Sequence, residues 1–183
     1  TKPNKGWDAA YTRICTWGEF KDKTGKFKFW FFNLHMDHIG VTARRESAKL
    51  VVARIKEIAG DAPVILTGDF NVDQTNEIFR IFTGSGVLKD AYDSARLRFA
   101  ENGTFNDFLP DVKTDSRIDH VMVSPGFEVS HYGVLTNGYW TPLEQSATEE
   151  KDGNSPTEID LQQQVRRVPS DHYPVLVRVA YRK

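Results

Sequence analysis

Four consecutive apolar residues, Pro63-Val64-Ile65-Leu66, run straight into Thr67-Gly68-Asp69-Phe70-Asn71. A short strand without a polar face must be covered on both sides, so it belongs to the interior of a sheet. The rest of the chain has to supply that cover. Upstream, residues 26–36 (KFKFWFFNLHM) read as a strand buried on both faces in its middle. Residues 11–20 (YTRICTWGEF) are β-branched and aromatic, and form its hairpin partner across Asp22-Lys23-Thr24-Gly25. Between the aromatic strand and the apolar one, Ala48, Val51, Val52, Ile55 and Ile58 recur at helical spacing. Thr42 is suited to cap that helix, and Gly60 to stop it after about Ala59.

The second half is less regular. A helix is expected over 76–83, mostly loop over 94–116, and strands over 118–124 and 127–136 on either side of Pro125-Gly126. Residues 137–169 form a long polar connection containing Glu149, Glu150, Asp152, Glu158 and Asp160, and a last strand covers 174–181. A loop that long is functional or mobile, and 141–164 is expected to be the most mobile part of the chain. Strands alternate with helices early and cluster late, so the class is α/β or α+β. There is no repeat and no linker, and 1–183 reads as one domain.

Composition removes several functions. Lys and Arg number 24 against 25 Asp and Glu, a net charge of −1. Such a chain has no sequence-independent electrostatic grip on nucleic acid or anionic membrane, although it can bind phosphate locally. One cysteine, Cys15, excludes an intrachain disulfide and a Cys-rich zinc site. Apolar runs such as 29–32 and 63–66 are far too short to span a bilayer, so no transmembrane segment is expected. No signal-peptide pattern occurs, and compartment is not legible.

Three of the five histidines directly follow an aspartate: Asp37-His38, Asp119-His120 and Asp171-His172. Each pair is either a surface turn or part of one gathered site. Position favours the site. Asp69 and Asn71 lie at the end of a buried strand, His35 ends the aromatic strand, and Asp171-His172 precedes the last strand. Asp119 sits inside an apolar strand, which is costly unless it is paired. Alternation puts Arg117, Asp119, Val121 and Val123 on one face, and Ile118, His120 and Met122 on the other. Carboxylates gathered with imidazoles suit general acid–base work near neutral pH. His131 has no motif around it and reads as structural. Trp7, Trp17, Trp30 and Trp140 read as core or cleft rim.

Asn33-Leu34-His35, Thr67-Gly68-Asp69-Phe70-Asn71, Arg117-Ile118-Asp119-His120-Val121 and Ser170-Asp171-His172-Tyr173-Pro174-Val175 resemble, in order, the motifs of the endonuclease/exonuclease/phosphatase superfamily. The run Gly6-Trp7-Asp8-Ala9-Ala10, with Arg13-Ile14 and Thr16-Trp17, resembles a bacterial branch whose substrates are poorly defined. The resemblance implies a deoxyribonuclease I-like four-layer sandwich, two packed β-sheets flanked by helices. It implies phosphoester hydrolysis with Mg²⁺ or Mn²⁺ and no covalent intermediate, on a nucleic acid, a sugar phosphate or a phospholipid head group. By the same resemblance Asp69 orients or deprotonates the attacking water, Asn71 helps hold it, and Asp171 lies near or on the metal. His172, partnered by Asp119, touches the scissile phosphate, and His35 is a second phosphate-side histidine. Arg13, Thr104, Asn106, and Arg167 with its neighbour Arg166, are candidates for substrate or phosphate contact. Asp37, His38 and Arg44 are candidates for a supporting role. His35 and His38 do not make a zinc pair without a third ligand.

Two family features are not found: an Asn on a first strand, and a Gln-Glu whose glutamate is the principal metal ligand. Glu19 is the only early glutamate. The expectation is therefore the C-terminal portion of a larger catalytic domain, with the rest supplied by a further segment or a second chain. Such a portion would bind Mg²⁺ weakly by itself and would leave an apolar sheet edge or face open. The alternative to an enzyme is a catalytically incompetent chain of the same fold that binds a ligand or partner.

Overall fold

The computed structural model describes residues 4–143, 156, 158 and 163–182. The elements are β1 (Cys15–Lys21), β2 (Lys28–His35), α1 (Val41–Ala59), β3 (Val64–Asp69), α2 (Glu77–Thr83), β4 (Lys89–Asp90), α3 (Ala91–Ser94), β5 (Ala95–Phe99), β6 (Asp119–Val123), β7 (Phe127–Val134), β8 (Tyr139–Pro142), β9 (Gln164–Arg167) and β10 (Val175–Tyr181). One sheet has the order β1-β2-β3-β6-β4, a second the order β10-β7-β5, and β8 pairs with β9 in a separate two-stranded antiparallel sheet. The apolar strand β3 is interior, parallel to β2 and antiparallel to β6.

Two cores explain the layering. Phe32, Leu34, Val64, Leu66 and Met122 pack one face of the large sheet against Val51, Val52 and Ile55 of α1 and Ile78, Phe79 and Phe82 of α2. The opposite face, with Ile65, Val121 and Val123, packs on Val129, Tyr132 and Val134 of β7 and on Val175, Val177 and Val179 of β10. The order through the molecule is helices, sheet, sheet. Phe20, the register partner of Phe29, is 51% exposed, and β1 and β10 are edge strands among the described residues.

Several sequence expectations need correction. The first strand starts at Cys15, because residues 8–11 are tied to the loop after β2: the Asp37 carboxylate accepts from the amides of Ala10, Tyr11, Ile39 and Gly40. The aromatic strand is fully covered only at Phe32 and Leu34; Asn33 and His35 are exposed. Thr42 does not cap α1. The N-cap position is Gly40, and the Asp8 carboxylate accepts from the amides of Thr42 and Ala43. Residues 95–99, expected as loop, form β5 parallel to β7. The ends of the expected polar connection form β8 and β9; most of 141–164, including the expected mobility, lies outside the described residues.

Candidate active site

Backbone register assembles the site. His35 is paired with Asp69, and Asp69 with Asp119, so the three form one row across β2, β3 and β6. Gly68 makes this row possible. It adopts φ 145°, and a side chain there would collide with the Leu34 carbonyl oxygen. Asn71 follows in the left-handed region at φ 50°, which Asn tolerates. Its amide donates to Asp69 Oδ1 at 2.8 Å, and its side-chain Nδ2 donates to the Met36 carbonyl at 2.9 Å, tying the ends of β3 and β2 together.

His172, just before β10, closes the row from the other sheet. Its Nδ1 is 2.7 Å from Asp119 Oδ2, and its Nε2 is 3.9 Å from Asp69 Oδ2. His35 Nε2 lies 3.3 Å from the same Asp69 oxygen. Asp69, Asp119 and His172 thus bring potential metal-binding atoms within 4.8 Å of one another. The site lines an open cleft of about 500 Å³, with Asn33, Thr67 and Ser170 on its walls.

The electrostatics divide acid from base. Burial pushes the Asp69 carboxyl above its ordinary value; the Asn71 amide pulls it back, and the charge of Asp119 adds to the rise. For His172, burial disfavours the imidazolium. The hydrogen bond and charge of Asp119, with Asp69 and Asp171 behind them, outweigh burial and hold His172 above its ordinary value. A carboxylate with raised basicity therefore faces a histidine inclined to stay protonated, a pairing suited to proton transfer at neutral pH.

The other candidates sit differently. Asp171 is half-buried; its side chain accepts from the Ser170 hydroxyl at 3.3 Å, and it is not one of the three converging residues. Arg13 turns to Asp37 and His38, with Nη2 3.0 Å from His38 Nδ1. Tyr11 stacks on the same His38, and Arg44 donates to the Asp37 carbonyl. Thr104 and Asn106 are 0% and 1% exposed. Arg166 binds the carbonyls of Pro110 and Thr136, tying loops together, and Arg167 is exposed on β9. His120 faces away, between Phe70 and Phe79, with Nε2 2.9 Å from the Val72 carbonyl oxygen. Neither early acid joins the row: Glu19 pairs with Lys28, and Asp8 holds the start of α1.

Sequence reasoning missed two features. Phe105 bridges to His172 and sets its ring 5.2 Å away, edge-on. Arg117 is buried on Asp90, 3.4 Å away, beneath the Tyr92 ring. An arginine two residues ahead of β6 was the available signal for the second; nothing in the sequence signals the first.

A two-sheet sandwich with carboxylates and imidazoles at the ends of adjacent strands is the architecture of deoxyribonuclease I-like phosphoester hydrolases. The chain belongs to the endonuclease/exonuclease/phosphatase family, whose model matches residues 5–172. Its structure is similar to that of a mannosyl-6-phosphatase from Bacteroides thetaiotaomicron, at 48% identity and TM-score 0.84, over 97% of this chain and 61% of that one. It is also similar to a family protein from Bacteroides vulgatus, at 32% identity and TM-score 0.76, over 98% and 59%. An uncharacterized protein of Acanthamoeba polyphaga mimivirus is 41% identical over 141 residues, 72% of this chain and 50% of that protein. The chain thus spans half to three fifths of the length of these relatives.

Proposed function

We propose that the complete protein hydrolyses a phosphate ester, with a sugar phosphate as substrate and an activated water as nucleophile. The observation that carries this is the His35–Asp69–Asp119 row closed by His172. Asp69, raised by burial and steadied by Asn71, takes a proton from water. His172, whose imidazolium is favoured by the hydrogen bond and charge of Asp119, would present an N–H to the phosphoryl oxygens where negative charge builds up. His35, 55% exposed, stands on the far side of Asp69 and assists the departing oxygen. The converging donor set fits a divalent cation: Asp69 and Asp119, with a His172 nitrogen within 4.8 Å, would offer the hard oxygens that Mg²⁺ or Mn²⁺ prefers, and such an ion when bound draws charge from the phosphoryl group.

The sugar phosphate is supported by the likeness to the mannosyl-6-phosphatase and by a net charge of −1, which gives no global attraction for nucleic acid. The exposure of Phe20, the edge position of β10 among the described residues and the partial coverage of the relatives support a further segment of the same domain beside these residues. That segment would complete the metal's oxygen shell. The test is phosphate release by the complete protein from mannose 6-phosphate, beside plasmid DNA and bis-(p-nitrophenyl) phosphate, with Mg²⁺ and with EDTA. Release from the sugar phosphate alone, abolished by EDTA, is expected. Cleavage of DNA alone overturns the substrate assignment. No hydrolysis of any of them by the complete protein favours the ligand-binding alternative.

A further inference from the structure

His172 lies in the loop that leads into β10 and Asp119 opens β6 of the other sheet, so their 2.7 Å contact depends on whatever holds the two segments in register. One residue touches both. Thr104 is 0% exposed, and its Oγ1 accepts from the amides of Ile118 at 2.9 Å and Asp119 at 3.0 Å. Its carbonyl accepts from the amide of Tyr173 at 2.7 Å, directly after His172. The two following residues extend the junction. Phe105 forms an antiparallel bridge with His172, and the Asn106 amide donates to the Asp171 carbonyl at 2.7 Å.

Each bond has a physical consequence. Ile118 lies just outside β6 and Asp119 opens it, and Thr104 Oγ1 takes up the amides of both. Without that oxygen two part-buried donors lose their acceptor, and the strand end that carries the Asp119 carboxylate is free to shift. The hydroxyl oxygen already serves two donors and has no exposed surface, which leaves it no route to substrate.

We propose that Thr104 is the positioning residue of the Asp119–His172 pair, a bracket that fixes the distance between the two sheets at the reacting end. This rests on the reading of that pair as catalytic. A shift of even part of an ångström in such a pair lowers turnover, because the charge is no longer held where it is needed in the transition state.

The test is Thr104→Val in the complete protein, with Thr104→Ser as the variant that keeps the oxygen. Thr104→Val is expected to lower kcat about tenfold or more, the scale of one orphaned buried donor, with KM unchanged within about twofold. Thr104→Ser is expected to restore kcat. In combination with Asp119→Asn, Thr104→Val should add no further loss, because it acts through Asp119. Amide exchange should quicken at Ile118 and Asp119 and stay unchanged at Met122, further along the same strand. Full kcat in Thr104→Val overturns the inference. So does a raised KM at unchanged kcat, which would mark a substrate contact, and so does a loss that multiplies with Asp119→Asn, which would mark general destabilisation. Should Asp119→Asn itself retain full turnover, the catalytic reading of the pair fails; exchange at Ile118 and Asp119 then decides the bracket, quickened exchange supporting it and unchanged exchange overturning it.

Discussion

Replacing Asp37 by Asn changes one atom of a side chain that organises the whole His35 end of the molecule. Asp37 is 3% exposed. Its Oδ1 accepts from the amides of Ile39 and Gly40, and its Oδ2 from those of Ala10 and Tyr11, all between 2.7 and 3.0 Å. An Asn can satisfy one of these pairs with its oxygen. Its NH₂ then faces the other pair, donor against donor, and the charge opposite Arg13 Nε at 3.6 Å is gone. A hydrogen bond to a charged group is worth about 1.5–3 kcal/mol, and orphaning buried donors costs about 1–3 kcal/mol each. Because the four bonds share one carboxylate and are not additive, the expected loss is about 3–5 kcal/mol. For a domain of this size that lowers Tm by roughly 10 °C. Burial pushes the Asp37 carboxyl up, but the four amides outweigh it and hold it well below the usual range. Its stabilisation is therefore fully present above the ordinary carboxylate value and lost as pH falls below it, so the deficit of the variant should shrink in acid. Thermal unfolding followed by tryptophan fluorescence at pH 7 and at about pH 3 measures both. A variant that melts within about 2 °C of the parent at pH 7 would show that residues 8–11 are not held by this carboxylate.

Gly68→Ala should be among the most damaging small substitutions, losing about 3 kcal/mol or more, because φ 145° and the nearby Leu34 carbonyl oxygen leave no room for a side chain; a parent-like Tm would contradict this. Burial pushes His120 down to about 4, so its neutral form stabilises the fold above about pH 6.5 and that contribution is lost as pH falls through 4. A denaturation series over this window should show stability falling with acid, with a smaller slope in His120→Gln. Breaking the buried Arg117–Asp90 pair by Asp90→Ala should cost about 3–5 kcal/mol, read as a lowered denaturation midpoint with an unchanged slope.

Strand ends were legible because apolar runs terminate abruptly in Asp69, His35 and the residues around Asp119, and because a charged group inside an apolar strand needs a partner. Side-chain period then separated Asp119 from His120 correctly: Asp119 lines the cleft, and His120 is buried 48 residues from its carbonyl partner Val72. What the sequence hid depends on distant partners. Residues 11–14 have strand composition, yet the contacts of Asp37 with Ala10 and Tyr11 pull the segment before them away from the ladder. Thr42 has cap chemistry, but Asp8, 34 residues earlier, takes the Thr42 amide. β5 is exposed at every residue but Ala95 and so shows no apolar alternation, and only its pairing with β7 reveals it. Arg13 belongs to a stretch that looked like site chemistry, but Asp37 and His38 engage it elsewhere.

The most direct measurement is the rate of phosphate release from mannose 6-phosphate by the complete protein carrying His172→Ala or Asp69→Asn, at saturating Mg²⁺ and with folding verified by thermal melt. The expected result is a loss of at least ~10²-fold in kcat for each variant, the scale of removing a group that transfers a proton or stabilises transition-state charge, with Tm close to that of the parent. Full turnover in either folded variant would contradict the assignment of hydrolysis to this row of side chains.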